Sequence, residues 1–289
     1  MLTRIIYPLF IREKVSWRIH KLYPNVNDKN ISLEFNNDLK FDLSKNDVGH
    51  KSIIFNGFYE LRQSKTFIKL GSKGGVLVDV GANYGYFSCL WASQNKKNKV
   101  YAFEASPLNV EPLRNNVSKN TLEDQIKDMS MTTQCLSWNC SWCGGRRGGG
   151  GGGMKKKNKV YVIGKLMNIR FKKFNLERDK KQTGWGGFTI DENSTSIEVE
   201  VDTLDNYARD NDITQIDILK IDTEGADTWV LYGAKQLLSE KRIKHIIFEH
   251  NSSRMKLLNI GENEAVDFLE KLGYTVKSHS PADFYAYPK

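Results

Sequence analysis

The chain has 289 residues, of which 39% are hydrophobic and 27% are charged, a balance that excludes a fibrous or wholly disordered protein. Its formal net charge is +9, but ten lysine or arginine residues and no acidic residue fall between positions 129 and 176. The rest of the chain is therefore close to neutral, so the charge does not indicate a nucleic-acid partner for the protein as a whole.

The first segment, MLTRIIYPLFIREKVSW, has only a short apolar run, which Pro8, Arg12 and Lys14 interrupt. A membrane-spanning helix needs about 20 apolar residues in succession, and no part of the sequence approaches that length. We therefore expect no signal peptide, no membrane span and a cytoplasmic location.

Residues 1–70 are predicted to form an N-terminal appendage or lid. Apolar and polar residues alternate over Ile31–Phe35 and again over Leu39–Leu43, with Asn36-Asn37-Asp38 between them, which predicts a β-hairpin. A helical pattern then runs from about Gly57 to Leu70 and ends at a cluster of glycines.

From residue 71 to 289 the pattern becomes that of a doubly wound α/β domain with a mostly parallel, Rossmann-like sheet. Short apolar runs predict buried strands, and the segments between them have helical periodicity. The predicted strands are 76–80, 100–103, 216–221 and 243–248, with closing strands at 273–276 and 284–287. The predicted helices are 84–94, 108–119, 228–239 and 262–272.

A basic, glycine-rich segment at about 129–175 interrupts this rhythm. It contains six consecutive glycines, Gly148 to Gly153, and composition of this kind predicts a flexible insertion or a stretch altered by a shifted reading frame. Cys135, Cys140 and Cys143 have a spacing that could present thiolates to zinc, but no histidine or fourth cysteine lies nearby. We therefore predict no metal site there.

The first predicted strand ends in Asp79 and turns through Gly81 and Gly85 into a helix. Glycines at such a turn let the backbone approach a ligand closely at the carboxyl edge of the sheet. The Gly-x-x-x-Gly spacing and the preceding carboxylate disfavour a pyrophosphate cofactor. S-adenosylmethionine has no phosphate, and Asp79 could receive its ammonium group. Glu104, at the end of the next strand, could hold both ribose hydroxyls.

Two further strand ends carry acidic or basic side chains. Asp222 and Glu224 follow the strand 216–221, and Glu249 and His250 follow the strand 243–248. Because the carboxyl ends of parallel strands share one edge of the sheet, these side chains are predicted to converge in a catalytic site.

The motifs VDVGANYGYFS, YAFEASP, VDTLDNYA, DILKIDTEGADTWVLYGA and IIFEHN resemble the FkbM family of methyltransferases, over about residues 50–128 and 184–251. The resemblance implies a class I methyltransferase fold and O-methylation of a hydroxyl, often on a sugar or a polyketide-like product. It implies site roles for Asp222 and Glu224. It also implies roles in cofactor binding for Asp79, Gly81, Ala82, Asn83, Gly85 and Glu104. The loop that usually lines the adenine pocket runs into the insertion after Asp128, so the adenine contacts stay unassigned.

The predicted function is S-adenosylmethionine-dependent O-methylation of a glycan or a small, natural-product-like acceptor. Asp222 is the first candidate for the base, followed by Glu249 or His250. A magnesium or manganese ion held by Asp222, Glu224 and Glu249 is the less favoured mechanism. One alternative is an RNA ribose methyltransferase, which would need a lysine and acidic tetrad and a basic groove. The other is a catalytically decayed, methyltransferase-like interaction protein.

Overall fold

The computed structural model describes residues 2–19, 23, 25–128, 161–163, 171–175, 187–188, 196–280 and 282–289. These residues form sheets of seven, four and two strands, with helices packed around the largest. None of the helices in this part of the chain is both long enough and apolar enough to cross a bilayer.

The N-terminal part consists of helices and a short hairpin. After a 3-10 helix, Leu2–Ile5, the helices are α1 (Leu9–Ile19), α2 (Val48–Asn56) and α3 (Leu61–Gly71). Strands β1 (Ile31–Ser32) and β2 (Lys40–Phe41) pair antiparallel, which confirms the predicted hairpin, although each strand is shorter than expected.

The prediction of one helix from about Gly57 to Leu70 is wrong at its start. Gly57 adopts a left-handed φ of 83° and ends α2, and the chain resumes as α3 only at Leu61. Asp47 begins α2, because its side chain accepts a hydrogen bond from the backbone N–H of His50. The sequence pattern does not predict α2, because its apolar residues are consecutive from Ile53 to Phe55 and lack the spacing of an amphipathic helix.

The main sheet has five parallel strands and two antiparallel strands at one edge. The parallel strands are β3 (Val76–Val80), β4 (Lys99–Phe103), β5 (Ile126–Asp128), β10 (Ile216–Ile221) and β11 (Ile243–Glu249). The antiparallel strands are β12 (Tyr274–Ser278) and β13 (Asp283–Pro288). The spatial order is β12, β13, β11, β10, β3, β4, β5. This arrangement confirms the predicted doubly wound, mostly parallel sheet.

Helices connect these strands and cover both faces of the sheet. They are α4 (Tyr86–Gln94), α5 (Pro107–Lys119), α6 (Leu204–Asp210), α7 (Asp227–Gly233), α8 (Lys235–Ser239), α9 (Ser252–Leu257) and α10 (Glu264–Lys271). Alternate residues of each strand enter opposite cores, so Leu77 packs on one face and Val78 on the other. Because both faces are buried, the strands read as continuous apolar runs.

The N-terminal part shares a core with one face of the sheet. Phe41 and Phe67 belong to the same buried cluster as Leu77, Leu90 and Trp91. Burial of large aromatic side chains at this junction stabilises the docking of residues 1–70 on the sheet. The segment therefore forms a fixed wall beside the strand ends.

A four-stranded sheet lies between α5 and β10 in the chain. Its strands are β6 (Tyr161–Ile163), β7 (Phe171–Asn175), β8 (Gly187–Phe188) and β9 (Ser196–Asp202), in the order β6, β9, β7, β8. Strands β6 and β7 fall inside the range predicted as an insertion, so the described residues of that range are strand. The glycine run and the three cysteines at 135–143 lie outside the described residues, and their role stays a prediction.

Candidate active site

The carboxyl ends of four neighbouring strands bring the predicted site residues to one edge of the sheet. Asp79 on β3 is in register with Ala102 on β4 and with Lys220 on β10, and Lys220 is in register with Ile247 on β11. Residues just beyond this row therefore lie side by side, as expected for an open parallel sheet.

The turn after β3 is fastened to the end of β4. The backbone N–H of Gly81 donates to the carbonyl oxygen of Phe103 at 2.9 Å. Glu104 accepts hydrogen bonds from the backbone N–H of Asn83 and of Ser106, each at 2.7 Å. Burial raises the pKa of Glu104 to about 7, although these hydrogen bonds oppose the rise. Glu104, the residue predicted to bind the ribose, therefore fixes the shape of the glycine turn through these hydrogen bonds.

Residue 81 must be glycine because the backbone of Asp222 lies very close to it. Its φ is 82°, and a Cβ at this position would lie 1.8 Å from the carbonyl oxygen of Asp222. The backbone N–H of Asp222 in turn donates to the carbonyl of Val80 at 2.9 Å. The turns after β3 and β10 are therefore in direct backbone contact, which only glycine permits.

Asp79 is buried behind the strand ends. It is 1% exposed, accepts a hydrogen bond from the Ser88 hydroxyl at 2.7 Å, and lies 3.7 Å from the Lys220 ammonium. Burial raises its pKa, and Lys220 and Ser88 oppose this. Asp79 therefore contacts Ser88 and Lys220, and the role predicted for it in binding the cofactor's ammonium group stays a prediction.

Lys220 lies in the candidate site, although the sequence pattern predicts only that it is a buried residue of a strand. Its ammonium group lies 3.2 Å from Asp222 and its side chain is 5% exposed. Burial opposes its charge, but the carboxylates of Asp222, Asp79 and Glu60 prevail and raise its pKa. Lys220 therefore stays positively charged and holds Asp222 at the edge of the sheet.

A cavity of about 330 Å³ opens between these strand ends and the N-terminal helices. The sheet contributes Asn83, Lys220, Asp222, Glu224, Glu249 and Asp283 to its lining. The N-terminal part contributes Asp47, Gly49, Ser52, Tyr59, Glu60 and Gln63. No periodicity or motif in residues 1–70 distinguishes this second group, because only the docking of α2 and α3 on the sheet makes them neighbours of the strand ends.

Three non-glycine residues of the cavity have left-handed backbone conformations. The φ angles are 44° at Glu60, 52° at Asn83 and 53° at Glu224. Such conformations cost of order 1 kcal/mol or more, and they persist where the surrounding structure fixes them, commonly at functional sites. Their concentration around one cavity supports its assignment as the site.

The acidic residues after β10 and β11 form a close group. One carboxylate oxygen each from Asp222, Glu224 and Glu249 lie within 4.8 Å of one another. Burial is the largest cause of the raised pKa of Glu224, to about 7, and of Glu249, to about 9, and Asp222 adds to both. In the described part of the chain, Oε2 of Glu249 is buried without a hydrogen-bond partner. Asn251 donates to Glu224 at 3.0 Å.

His250 does not join this group. Its backbone N–H donates to the carbonyl of Ala282 at 2.7 Å, and its ring packs edge-on against Phe284 with 5.6 Å between the centroids. It is not among the residues that line the cavity. His250 lies just beyond the end of β11, and its ring contacts Phe284. The prediction that His250 takes part in the chemistry is therefore not supported by its placement.

These raised pKa values predict that stability falls with increasing pH. Glu60, Glu104, Glu224, Asp227 and Glu249 have folded-state pKa values of about 8, 7, 7, 6 and 9, and burial is the first cause in each. The folded protein therefore binds protons that the unfolded chain releases at about pH 4, so its stability declines as the pH rises through these values.

We expect the Tm of the ligand-free protein, measured by scanning calorimetry, to fall by several degrees between about pH 6 and pH 9. Glu249→Gln should make the decline shallower, because glutamine carries no titrating carboxyl group. A Tm that rises with pH over this interval would contradict the assigned burial of these carboxyl groups.

Known proteins resemble this chain over much of its length. The sequence profile of the Methyltransferase FkbM domain matches residues 79–276. Methyltransferase sdnD of Sordaria araneosa is 26% identical over 170 residues, which are 55% of this chain and 60% of that protein. The match thus spans less than two thirds of this relative.

Solved structures are similar at low sequence identity. The methyltransferase FkbM from Methylobacillus flagellatus KT is 12% identical, with a TM-score of 0.43 over 96% of this chain and 59% of that one. The O-methyltransferase from Bacillus cereus, solved in complex with SAH, is 12% identical, with a TM-score of 0.36 over 78% of this chain and 80% of that one. Because the family profile covers more than half of the sequence, this chain belongs to the FkbM family of methyltransferases.

Proposed function

We propose that the chain transfers a methyl group from S-adenosylmethionine to a hydroxyl of a glycan or a small, natural-product-like acceptor. The observation that carries this proposal is the contact between the glycine turn after β3 and the turn after β10 that carries Asp222. It joins a turn suited to a nucleoside-containing cofactor to an acidic cavity large enough for a small acceptor.

The residues at the glycine turn suit the cofactor. Oδ1 of Asn83 is buried and has no hydrogen-bond partner among the described residues, so it can accept one from a bound ligand. Glu104 lies one strand away, and each carboxylate oxygen that accepts a backbone N–H has a further lone pair. We propose that Gly81, Asn83 and Gly85 hold the cofactor's amino-acid end, and that Glu104 receives the ribose. The adenine contacts stay unassigned, because the chain directly after Asp128 lies outside the described residues.

Asp222 is the proposed base. When bound, the cofactor supplies an electrophilic methyl group on a positively charged sulfur. With the cofactor held at the glycine turn, its sulfur would keep the electrons of the methyl–sulfur bond, and Asp222 would accept the proton of the acceptor hydroxyl. The pKa values of Glu224 and Glu249 are raised to about 7 and about 9, so both hold a proton more readily near neutral pH than an ordinary carboxyl group does. Asp222 is proposed on its position, because its carboxylate lines the cavity and the Lys220 ammonium group lies 3.2 Å from it.

A divalent cation is the alternative mechanism at the same residues. The oxygens of Asp222, Glu224 and Glu249 are close enough together to bind magnesium or manganese, which would lower the pKa of a bound hydroxyl. Chelation separates the two mechanisms. Activity that survives EDTA supports the simple base, whereas activity lost with EDTA and restored by Mg²⁺ or Mn²⁺ supports coordination.

Glu104→Ala tests the cofactor assignment. We expect the affinity for S-adenosylhomocysteine, measured by calorimetry, to fall by about 1–3 kcal/mol, since the variant loses a charge-assisted hydrogen bond and loosens the turn at Asn83. The control is Glu111→Gln, which changes an exposed glutamate on α5. Unchanged affinity in a folded Glu104→Ala protein would remove Glu104 from the cofactor site.

The same measurement addresses the two rival functions. A decayed protein would not bind S-adenosylhomocysteine. An RNA methyltransferase would bind it and would also bind RNA with a strong salt dependence. The lining of the cavity favours neither a phosphate backbone nor any other polyanion, because six of its described residues are acidic and one is basic.

A further inference from the structure

The charge of the cavity is strongly one-sided. Among the lining residues that the structure describes, Lys220 is the one cation, facing the carboxylates of Asp47, Glu60, Asp222, Glu224, Glu249 and Asp283. Lys220 is already engaged, because its ammonium group lies 3.2 Å from Asp222 and 3.7 Å from Asp79. The other acidic residues of the lining therefore have no second lysine or arginine beside them among the described lining residues.

Glu60 is one of two acidic residues, with Asp47, that the N-terminal part contributes to the cavity lining. It occupies the position just before α3, yet its side chain makes no capping hydrogen bond to that helix. Burial is the first cause that raises its pKa, to about 8, and the charges of Asp283 and Asp222 on the strand side add to it. Lys220 and a hydrogen bond from Tyr59 oppose the rise without cancelling it. Ionisation of Glu60 in this cavity therefore costs free energy. A cationic ligand bound beside Glu60 would offset that cost.

Gln63 supplies a second and independent sign of a missing ligand. It lies in the first turn of α3, three residues after Glu60, and both residues line the cavity. Gln63 is 4% exposed, and its Oε1 has no hydrogen-bond partner among the described residues. A buried amide oxygen without a partner is rare and costly unless a ligand satisfies it.

We propose that the acceptor carries a protonated amine in addition to its reacting hydroxyl, and that Glu60 and Gln63 receive this amine. An ammonium group has three N–H donors and one positive charge, and so matches a carboxylate and an amide oxygen side by side. A neutral hydroxyl supplies a single donor and no charge, and a uronate or phosphate would be repelled. The inference rests on the proposed methyltransferase function and adds the acceptor's charge class: a hydroxylated amine such as an amino sugar.

The test compares three sugars that share the glucopyranose ring and differ in charge, on the full chain with S-adenosylhomocysteine present. Glucosamine, N-acetylglucosamine and glucuronic acid are each titrated by calorimetry and by saturation-transfer NMR. We expect glucosamine to bind at least about tenfold more tightly than N-acetylglucosamine, and glucuronic acid to bind most weakly.

Glu60→Gln should weaken glucosamine binding about tenfold and leave the affinity for N-acetylglucosamine unchanged. Gln63→Leu should weaken glucosamine severalfold, and Glu111→Gln should change nothing.

Three results would overturn the proposal. They are equal binding of glucosamine and N-acetylglucosamine, wild-type glucosamine affinity in folded Glu60→Gln, and binding of Mg²⁺ alone with no preference for the amine. If S-adenosylhomocysteine still binds in these cases, only the acceptor assignment fails. If it does not bind to the unmodified protein, the proposed methyltransferase function fails as well.

Discussion

Asp222→Asn is expected to lower the turnover number for methyl transfer by about 10²- to 10⁴-fold, the usual effect of removing a general base. Asparagine preserves the shape of the side chain but cannot accept the hydroxyl proton. The fold should survive, because the contacts that fix this turn are made by the backbone N–H and carbonyl of residue 222. Single-turnover rates with an acceptor from the sugar series, together with calorimetry of S-adenosylhomocysteine binding, separate chemistry from cofactor affinity.

The matched control is Asp210→Asn, an exposed aspartate at the end of α6. It changes the same functional group far from the strand ends and should leave turnover unchanged. If Asp222→Asn retains near-full activity, Asp222 is a turn residue only. The base would then be Glu249, since His250 packs against Phe284 outside the cavity.

Gly81→Ala is expected to destabilise the protein by about 3–5 kcal/mol and to weaken cofactor binding by at least about 100-fold. A Cβ at residue 81 would lie 1.8 Å from a backbone oxygen, and no side-chain rotation relieves such a contact. The turns after β3 and β10 would have to separate, which moves Asp222 and Asn83 away from each other. Chemical denaturation measures the first effect, and calorimetry with S-adenosylhomocysteine measures the second.

Gly85→Ala is the matched comparison for this prediction. Its φ of 84° is nearly the same as that of Gly81, so both variants carry the same backbone strain. A Cβ at residue 85 would meet the Leu113 side chain at 3.3 Å, which a small side-chain shift accommodates. We expect Gly85→Ala to cost about 1–2 kcal/mol. Equal losses in the two variants would mean that strain alone, without the contact to Asp222, explains the requirement for glycine.

The sequence by itself determined the sheet and its functional edge. Strands buried on both faces need continuous apolar residues, so the runs at 76–80 and 216–221 match β3 and β10 at both ends. A parallel sheet places every carboxyl-terminal strand end at one edge, so the convergence of Asp79, Glu104 and Asp222 followed from the order of strands and helices alone. The sequence pattern was sufficient to predict these features because each depends on the order and spacing of residues along the chain.

Tertiary structure decided what each side chain faces. Lys220 looked like a strand residue, and only the register of β10 beside β3 places it between Asp79 and Asp222. Glu60 and Gln63 line the same cavity as Asp222 and Glu249 because α3 packs beside the ends of β10 and β11, which lie far from it along the chain. Contacts between distant segments leave no periodicity in the sequence, since they depend on how whole elements dock. For this protein, the placement of the strand-end residues was therefore predictable from the sequence, whereas the N-terminal lining of the cavity came from the packing of the N-terminal helices.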